Sequence, residues 1–145
     1  MPNIRISSNM GKTQLHRGCR AMMQSLGEMT RKLRHDLEQA QAAGDVRGYM
    51  RRNAGALYER IAQIEIQLSA VLGQCRGVLP KHQIDEARTL QGNLAKLRDQ
   101  IDRARRISVV DWNGLGQAAL GLAGAAAGLI TRLLQQLPQQ LLPRH

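Results

Sequence analysis

The sequence predicts an all-α protein: an antiparallel long-helix bundle, with three heptad helices in a coiled-coil-like hairpin arrangement and a Gly/Ala-rich C-terminal helix. Apolar residues recur at alternating spacings of three and four through most of the 145 residues. Ala, Leu, Gln and Arg dominate the composition, and these residues favour helices. Few segments alternate with period two, which argues against an all-β fold. A chain of this length is one domain, or one domain with an appendage.

The first helix is predicted to follow an irregular lead, residues 1–12. It ends at the segment AAGD, because Gly44 suits the position just past a helix and Asp45 can cap the next one. Its apolar positions form a heptad with one stutter near Asp36. These positions are Leu15, Cys19, Met22, Leu26, Met29, Leu33, Leu37 and Ala40.

The second and third helices repeat this spacing, and Pro80 is placed to open the third. Because the connecting turns are short, the three helices of residues 13–108 should pack as antiparallel neighbours. Two pairs four residues apart, Asp99–Arg103 and Asp102–Arg106, should stabilise the third helix. The second stripe is Met50, Asn53, Leu57, Ile61, Ile64, Leu68, Val71 and Cys75; the third is Ile84, Ala87, Leu90, Leu94, Leu97, Ile101 and Ala104.

The fourth helix is predicted within residues 109–137, with Asp111 or Asn113 as its cap and Pro138 as its stop. Residues 138–145 should form a flexible tail. Leu115, Ala119, Leu122, Ala126, Leu129 and Leu133 continue the heptad spacing through this helix.

The segment GLGQAALGLAGAAAGLI, residues 114–130, has five glycines and no charge. Its leucines and isoleucine favour membrane insertion by only about 1.5 to 3 kcal/mol. Five glycines in a soluble helix cost about 4 to 5 kcal/mol relative to alanine. Both interpretations, a membrane segment and a packed bundle helix, require close helix contact, and the medium stays open. The residues predicted for membrane contact or helix packing are Trp112, Leu115, Ala119, Leu122, Ala123, Gly124, Ala127, Gly128 and Leu129.

The net charge of +10 comes mainly from arginine and indicates an anionic partner: a lipid surface, nucleic acid or an acidic protein. A solvated basic surface is the simpler alternative. Turns centred near Gly44–Asp45 and Leu79–Pro80 would gather basic residues at one end of the bundle, with Arg51 level with Ser108. The predicted anion-contacting residues are Arg31, Lys32, Arg34, Arg47, Arg51, Arg52, Arg103, Arg105 and Arg106.

The two cysteines are predicted to be small buried thiols. The expected register places Cys19 near Ala70, more than a helical turn from Cys75, which is too far for a disulfide. The start of the chain, MPNIRISSNM, lacks the apolar run of a secretory signal. Both observations favour synthesis in a reducing cytoplasm.

No pattern of catalytic, metal-binding or cofactor-binding residues stands out. The segment NMGKT resembles the end of a phosphate-binding loop, but Ile6 stands where that loop needs a glycine. The four histidines are scattered without metal-ligand spacing. We therefore expect no enzyme activity, no cofactor, no metal and no small-molecule substrate.

These features predict a non-enzymatic helical assembly protein. Its basic bundle end and Gly/Ala-rich helix would mediate oligomerisation and conditional membrane association, as in secretion, toxin-delivery or phage DNA-delivery apparatus. The expected partners are further copies or a larger assembly, and an anionic membrane. It would be membrane-associated or part of a secreted or virion assembly. The alternatives are a soluble bundle that binds nucleic acid through its arginine-rich tip, and a secretion chaperone or adaptor.

Overall fold

The computed structural model describes the backbone of residues 2–137 and the side chains of residues 17–137, and this part of the chain contains five α-helices and no strand. The helices are α1 (Pro2–Ala42), α2 (Val46–Arg52), α3 (Ala54–Gln74), α4 (Lys81–Ala104) and α5 (Trp112–Gln136). A single 3₁₀ turn, Arg76–Val78, precedes α4. The predicted all-α bundle is confirmed.

Four long helices pack in a ring: α1 contacts α3 and α5, and α4 contacts the same two helices from the other side. Adjacent helices run antiparallel, as expected for helices joined by short connections. The short helix α2 lies outside this ring and packs mainly on α5. The expected flexible tail, 138–145, lies outside the described residues.

The core is aliphatic and follows most of the predicted heptads. The predicted second and third stripes are buried except at Asn53 and Ile84, which are half-buried. In α1, Met23 and Thr30 are fully buried, whereas the predicted Met22 and Met29 are half-buried. The buried face of α1 is wider than one heptad seam because it contacts two helices.

Two predicted boundaries differ from the structure. Helix α1 begins at Pro2, so residues 2–12 of the irregular lead expected at residues 1–12 are helical. The second predicted helix is two helices, separated at Asn53. The side-chain Nδ2 of Asn53 donates to the carbonyl of Tyr49 at 2.8 Å. Such local side-chain bonds compete with regular helix geometry, which explains why asparagine is a poor interior residue.

The prediction of two free thiols is wrong: Cys19 and Cys75 form a disulfide, with their Cα atoms 5.6 Å apart. Residue 47 lies midway in sequence between the two cysteines, and residue 48 lies midway between Asp36 and Arg60, whose ion pair is 3.0 Å long. The predicted pairing of the two helices had its midpoint at Gly44–Asp45. Because α2 packs mainly on α5, the part of the second predicted helix that pairs along α1 is chiefly α3, and the register moves enough to bring the two cysteines together.

Other local predictions are confirmed. Gly44 adopts a φ of +69° after α1, a conformation that L-residues with side chains rarely take. The Asp111 carboxylate accepts from the backbone N–H of Gly114 at 2.9 Å and caps α5. The predicted pairs Asp99–Arg103 and Asp102–Arg106 are 2.8 and 2.9 Å long.

A polar cluster fixes α3 against α4. The Arg98 guanidinium donates to both carboxylate oxygens of Glu65, at 2.6 and 3.3 Å, and to the Tyr58 hydroxyl at 3.2 Å. Its charge also lies 5.4 Å from the centroid of the Tyr58 ring. The hydrogen bonds to Glu65 and to Tyr58 raise the pKa of Arg98 above its ordinary value.

Candidate functional site

A groove rich in arginine lies at the end of the bundle where α2, the start of α3 and the loop 105–111 meet. Its volume is about 600 Å³, within the usual range for small-molecule sites. Arg51 and Ser108 both line it, as the expected register of the second turn requires. We call it the arginine groove; its charged lining residues are Arg47, Arg51, Arg52 and Arg105.

Among the described side chains, two arginines of this groove have no carboxylate within 4.0 Å. Arg52 pairs with Asp45 at 2.8 Å, and Arg105 lies 4.0 Å from Asp102. The bond from Arg52 lowers the pKa of Asp45. Within residues 17–137, no carboxylate oxygen lies within 4.0 Å of Arg47 or Arg51. Both side chains are exposed on α2: Arg47 lies in the first turn, where the helix dipole disfavours cations, whereas Arg51 lies in the last turn.

The other predicted anion-contacting residues fall into two groups. Arg103 and Arg106 lie at the same end as the groove but pair with Asp99 and Asp102. Arg31, Lys32 and Arg34 lie midway along the bundle. This corrects the prediction that all nine would share one end, and the shifted register of α1 is the reason.

Three contacts locate this second group. Lys32 pairs with Asp36 at 3.4 Å and lines a separate shallow groove against α3. Arg31 lies over Gly27, beside Ile130 of α5. Arg34 Cδ passes 3.8 Å from the place a Cβ would occupy at Gly124. These three side chains therefore cover the bundle's flanks and contribute nothing to the arginine groove.

The buried residues on the inner face of α5 recur at heptad spacing, but their positions coincide only in part with the predicted stripe. Leu115, Leu122 and Gly124 are half-buried, whereas Gly128 is exposed. The predicted packing residues Trp112, Ala119, Ala123, Ala127 and Leu129 are buried within the bundle. The full inner stripe is Trp112, Gly116, Ala119, Ala123, Ala126, Ile130, Leu133 and Leu137.

One glycine of this inner face is required by close packing. A Cβ at Gly116 would overlap Val46 Cγ1 and would lie 2.9 Å from Met50 Cγ. Both neighbours belong to α2, whose backbone therefore approaches α5 closely at this point. Gly116 is the residue that allows α2 to pack on α5.

The opposite face of α5 carries small residues that no other helix covers within the part of the chain that the structure describes. We call these residues the outer stripe: Gly114, Ala118, Gly121, Ala125 and Gly128, at spacings of four and three. All are exposed except Gly114, which is half-buried beside the capping carboxylate of Asp111. A Cβ at Gly121 or Gly128 would meet nothing within 4 Å.

Only Gly128 of this stripe is among the residues that the sequence predicts for membrane contact or helix packing. Gly114, Ala118, Gly121 and Ala125 are not, because the sequence does not show which side of α5 the bundle buries. The seven-residue spacing of Gly114, Gly121 and Gly128 was the signal that pointed to a single face.

Helix α5 also has the length and composition of a membrane span, with a mean hydropathy of 1.4 over its most apolar window and 39% of that window buried in the bundle. A buried helix of a soluble bundle has the same properties. Among the described residues, no group of three His, Cys, Asp or Glu side chains is placed to hold a metal ion.

The fold and these surfaces define an antiparallel helical bundle with an arginine groove at one end and an uncovered small-residue stripe along its last helix. Comparison with protein-family models, with curated proteins and with solved structures finds no match to this chain.

Proposed function

We propose that this protein is a non-enzymatic helical assembly protein that self-associates through the outer stripe and associates conditionally with anionic membranes through its basic end. The observation that carries the proposal is the exposure of Gly121 and Gly128 on one face of a long helix, with open space around each.

Glycine inside a helix costs about 1 kcal/mol relative to alanine. At Gly116 the close packing of α2 on α5 offsets this cost, because a larger residue would collide with α2. At Gly121 and Gly128 no contact within the described chain offsets it. A helix of a second molecule would offset it, since small residues at spacings of three and four let two backbones approach closely.

A second copy of this chain fits the outer stripe better than an unrelated partner. The stripe extends about 21 Å along the helix at ~1.5 Å per residue. It contains no charged residue between Gly114 and Gly128, so two stripes can face each other without burying unpaired charge. An isologous dimer uses the same patch on both molecules.

Insertion of α5 into a membrane is conditional in this proposal because the most apolar side of α5 forms part of the bundle core. The buried side chains Trp112, Leu129, Ile130 and Leu133 would reach lipid only if the bundle opened. The disulfide between Cys19 and Cys75 supports a place in an oxidising compartment, where such bonds persist. This fits a component of a secreted or delivery assembly.

The arginine groove favours a second candidate function, the binding of nucleic acid through phosphate contacts to Arg47 and Arg51. Its signature would be an affinity for DNA or RNA that falls steeply with salt, in the absence of lipid. A secretion chaperone or adaptor would instead place a client helix on the outer stripe. It would purify as a stoichiometric complex and would not self-associate.

Sedimentation velocity of the full chain tests the assembly proposal. We expect the wild type to form a concentration-dependent oligomer and the double variant Gly121→Leu/Gly128→Leu to sediment as a monomer with unchanged helicity. The matched control is Gly73→Leu/Gly92→Leu, because these two glycines are also exposed, helical and open. A wild type that stays monomeric at all concentrations, or equal behaviour of both double variants, would refute the proposal.

Flotation of the full-length wild type with anionic vesicles tests the membrane part separately. Binding that requires anionic lipid and weakens with salt supports it. If the protein floats with no lipid composition, the membrane part of the proposal is refuted. Self-association is then judged by sedimentation alone.

A further inference from the structure

The loop that joins α4 to α5, residues 105–111, exposes two aliphatic side chains at the tip of the bundle. Ile107 is 61% exposed and Val109 is 88% exposed. The third large hydrophobic residue that the described chain exposes is Ile66, which lies alone in the middle of α3. Two of three such residues therefore lie within three positions of each other, in a loop that also lines the arginine groove.

Positive charge surrounds this pair. Arg47 and Arg51, which have no carboxylate within 4.0 Å in the described chain, line the same groove as Ile107 and Val109. Arg105 and Arg106 precede Ile107 directly, and the single carboxylate of Asp102 faces both. The tip thus combines exposed apolar side chains with an excess of cations.

This combination matches the interface of an anionic bilayer. Aliphatic side chains lower their free energy when they enter the boundary between headgroups and acyl chains, and nearby arginines are attracted by the negative surface potential. The groove's volume of about 600 Å³ leaves room for a phosphate headgroup between α2 and the loop.

Nucleic acid would bind the arginines of the tip but not its exposed aliphatic side chains. Its phosphates would bind Arg47 and Arg51, but Ile107 and Val109 would stay in water. Binding of single strands usually adds exposed aromatic side chains on which bases stack. The groove's one aromatic residue, Trp112, is 9% exposed.

We infer that the loop 105–111 and the arginine groove together form a docking surface for an anionic lipid bilayer. Arg47 and Arg51 bind headgroup phosphates, and Ile107 and Val109 insert at the interface. This inference rests on the membrane association proposed above and names the part of the molecule responsible for it. It requires no insertion of α5 and no opening of the bundle.

The test is the partitioning of full-length, disulfide-bonded protein onto vesicles of phosphatidylcholine with phosphatidylglycerol, compared with phosphatidylcholine alone. We expect Arg47→Gln/Arg51→Gln to reduce the partition coefficient about 30-fold, from the usual contribution of an arginine near an anionic surface. We expect Ile107→Ser/Val109→Ser to reduce it about tenfold or more.

Matched controls separate the tip from general effects of charge and hydrophobicity. Arg76→Gln/Arg88→Gln removes the same charge from exposed positions away from the tip, and Ile66→Ser removes an exposed aliphatic residue from α3. Both controls should bind vesicles like the wild type.

Trp112 gives a second readout, because it lines the groove and is the only tryptophan of the chain. Its emission should shift to shorter wavelength on anionic vesicles, and lipids brominated near the headgroup should quench it. Shallow quenching with the bundle's helicity retained supports docking by the tip.

Three outcomes would overturn the inference. If the wild type binds vesicles and both tip variants bind equally well, another surface such as α5 carries the proposed membrane association. If the wild type binds no vesicle, the inference and that association fail together, while self-association is judged by sedimentation. If vesicles are ignored but DNA or RNA binds with strong salt dependence and only the arginine variant loses affinity, the groove is a nucleic-acid site.

Discussion

The glycines of α5 have opposite effects at neighbouring positions along the same helix. Gly116 is buried against α2, where Val46 and Met50 leave no room for a side chain. Gly121 and Gly128 face open space on the outer stripe. The same residue type therefore supports the fold of the single chain at one position and is available for contact with another chain at the other two.

This difference predicts opposite changes in the free energy of unfolding. Gly116→Ala should destabilise the protein by about 1 to 3 kcal/mol, because the added methyl group forces α2 away from α5. Gly121→Ala should stabilise the monomer by up to about 1 kcal/mol through helix propensity. Urea unfolding followed by circular dichroism, at protein concentrations low enough to keep the chain monomeric, measures both. Equal effects at the two positions would contradict the packing described for α2.

At the scale of helices, the contact between α3 and α4 is specified by Arg98. Its planar guanidinium bonds Glu65 through two nitrogens and covers the ring of Tyr58. A lysine at this position keeps the charge but loses the paired bonds and the stacking.

Arg98→Lys should therefore destabilise the bundle by about 1 to 2 kcal/mol. Arg88→Lys, on the exposed side of α4, is the control and should change stability by less than about 0.5 kcal/mol. The measurement is again the midpoint of urea unfolding. If Arg98→Lys and Arg88→Lys unfold alike, the polar cluster contributes no stability.

Heptad spacing predicted the long helices well because each helix buries one face, and burial repeats with helical periodicity. Heptad spacing did not predict the helix break at Asn53, because a single polar residue inside an apolar stripe is also compatible with a continuous helix. That break shifts the register of α1 against α3, and the shift accounts for the errors at Cys19, Cys75, Arg31, Lys32 and Arg34. The second turn, near Pro80, has no such break, and its register was predicted correctly.

The candidate surfaces were harder to predict than the fold. The sequence showed that α5 has small residues on several faces, but which face is covered depends on how four helices close into a ring. The arginine groove likewise depends on α2, which lies outside the ring of four long helices. Helix α2 and the loop 105–111 are far apart in sequence, but both line the groove. Arg47 and Arg51 are predicted from the sequence as anion-contacting residues, whereas the exposure of Ile107 and Val109 beside them is seen only in the structure.

At the scale of the whole molecule, the disulfide between α1 and the end of α3 closes a loop with a sequence separation of 56 residues. Restricting the unfolded chain in this way stabilises the native state by roughly 4 kcal/mol in the chain-entropy model. Both cysteines are buried, so reductants reach the bond only when the bundle opens.

The double variant Cys19→Ala/Cys75→Ala should therefore unfold at a clearly lower urea concentration than the oxidised wild type, with a loss of about 2 to 4 kcal/mol. Reduction of the wild type in native buffer should be slow and should accelerate in urea. Equal stability of the variant and the oxidised protein, or fast reduction without denaturant, would contradict the buried cross-link.

Cysteine cross-linking at the midpoint of the outer stripe tests the proposal that two copies of this chain meet along this stripe. Gly121 lies midway between Gly114 and Gly128, so it meets its own copy in both parallel and antiparallel pairing. We predict that Gly121→Cys forms a covalent dimer on mild oxidation, whereas Gly92→Cys, equally exposed on α4, stays monomeric. Equal cross-linking of the two variants, or none in either, would contradict the account.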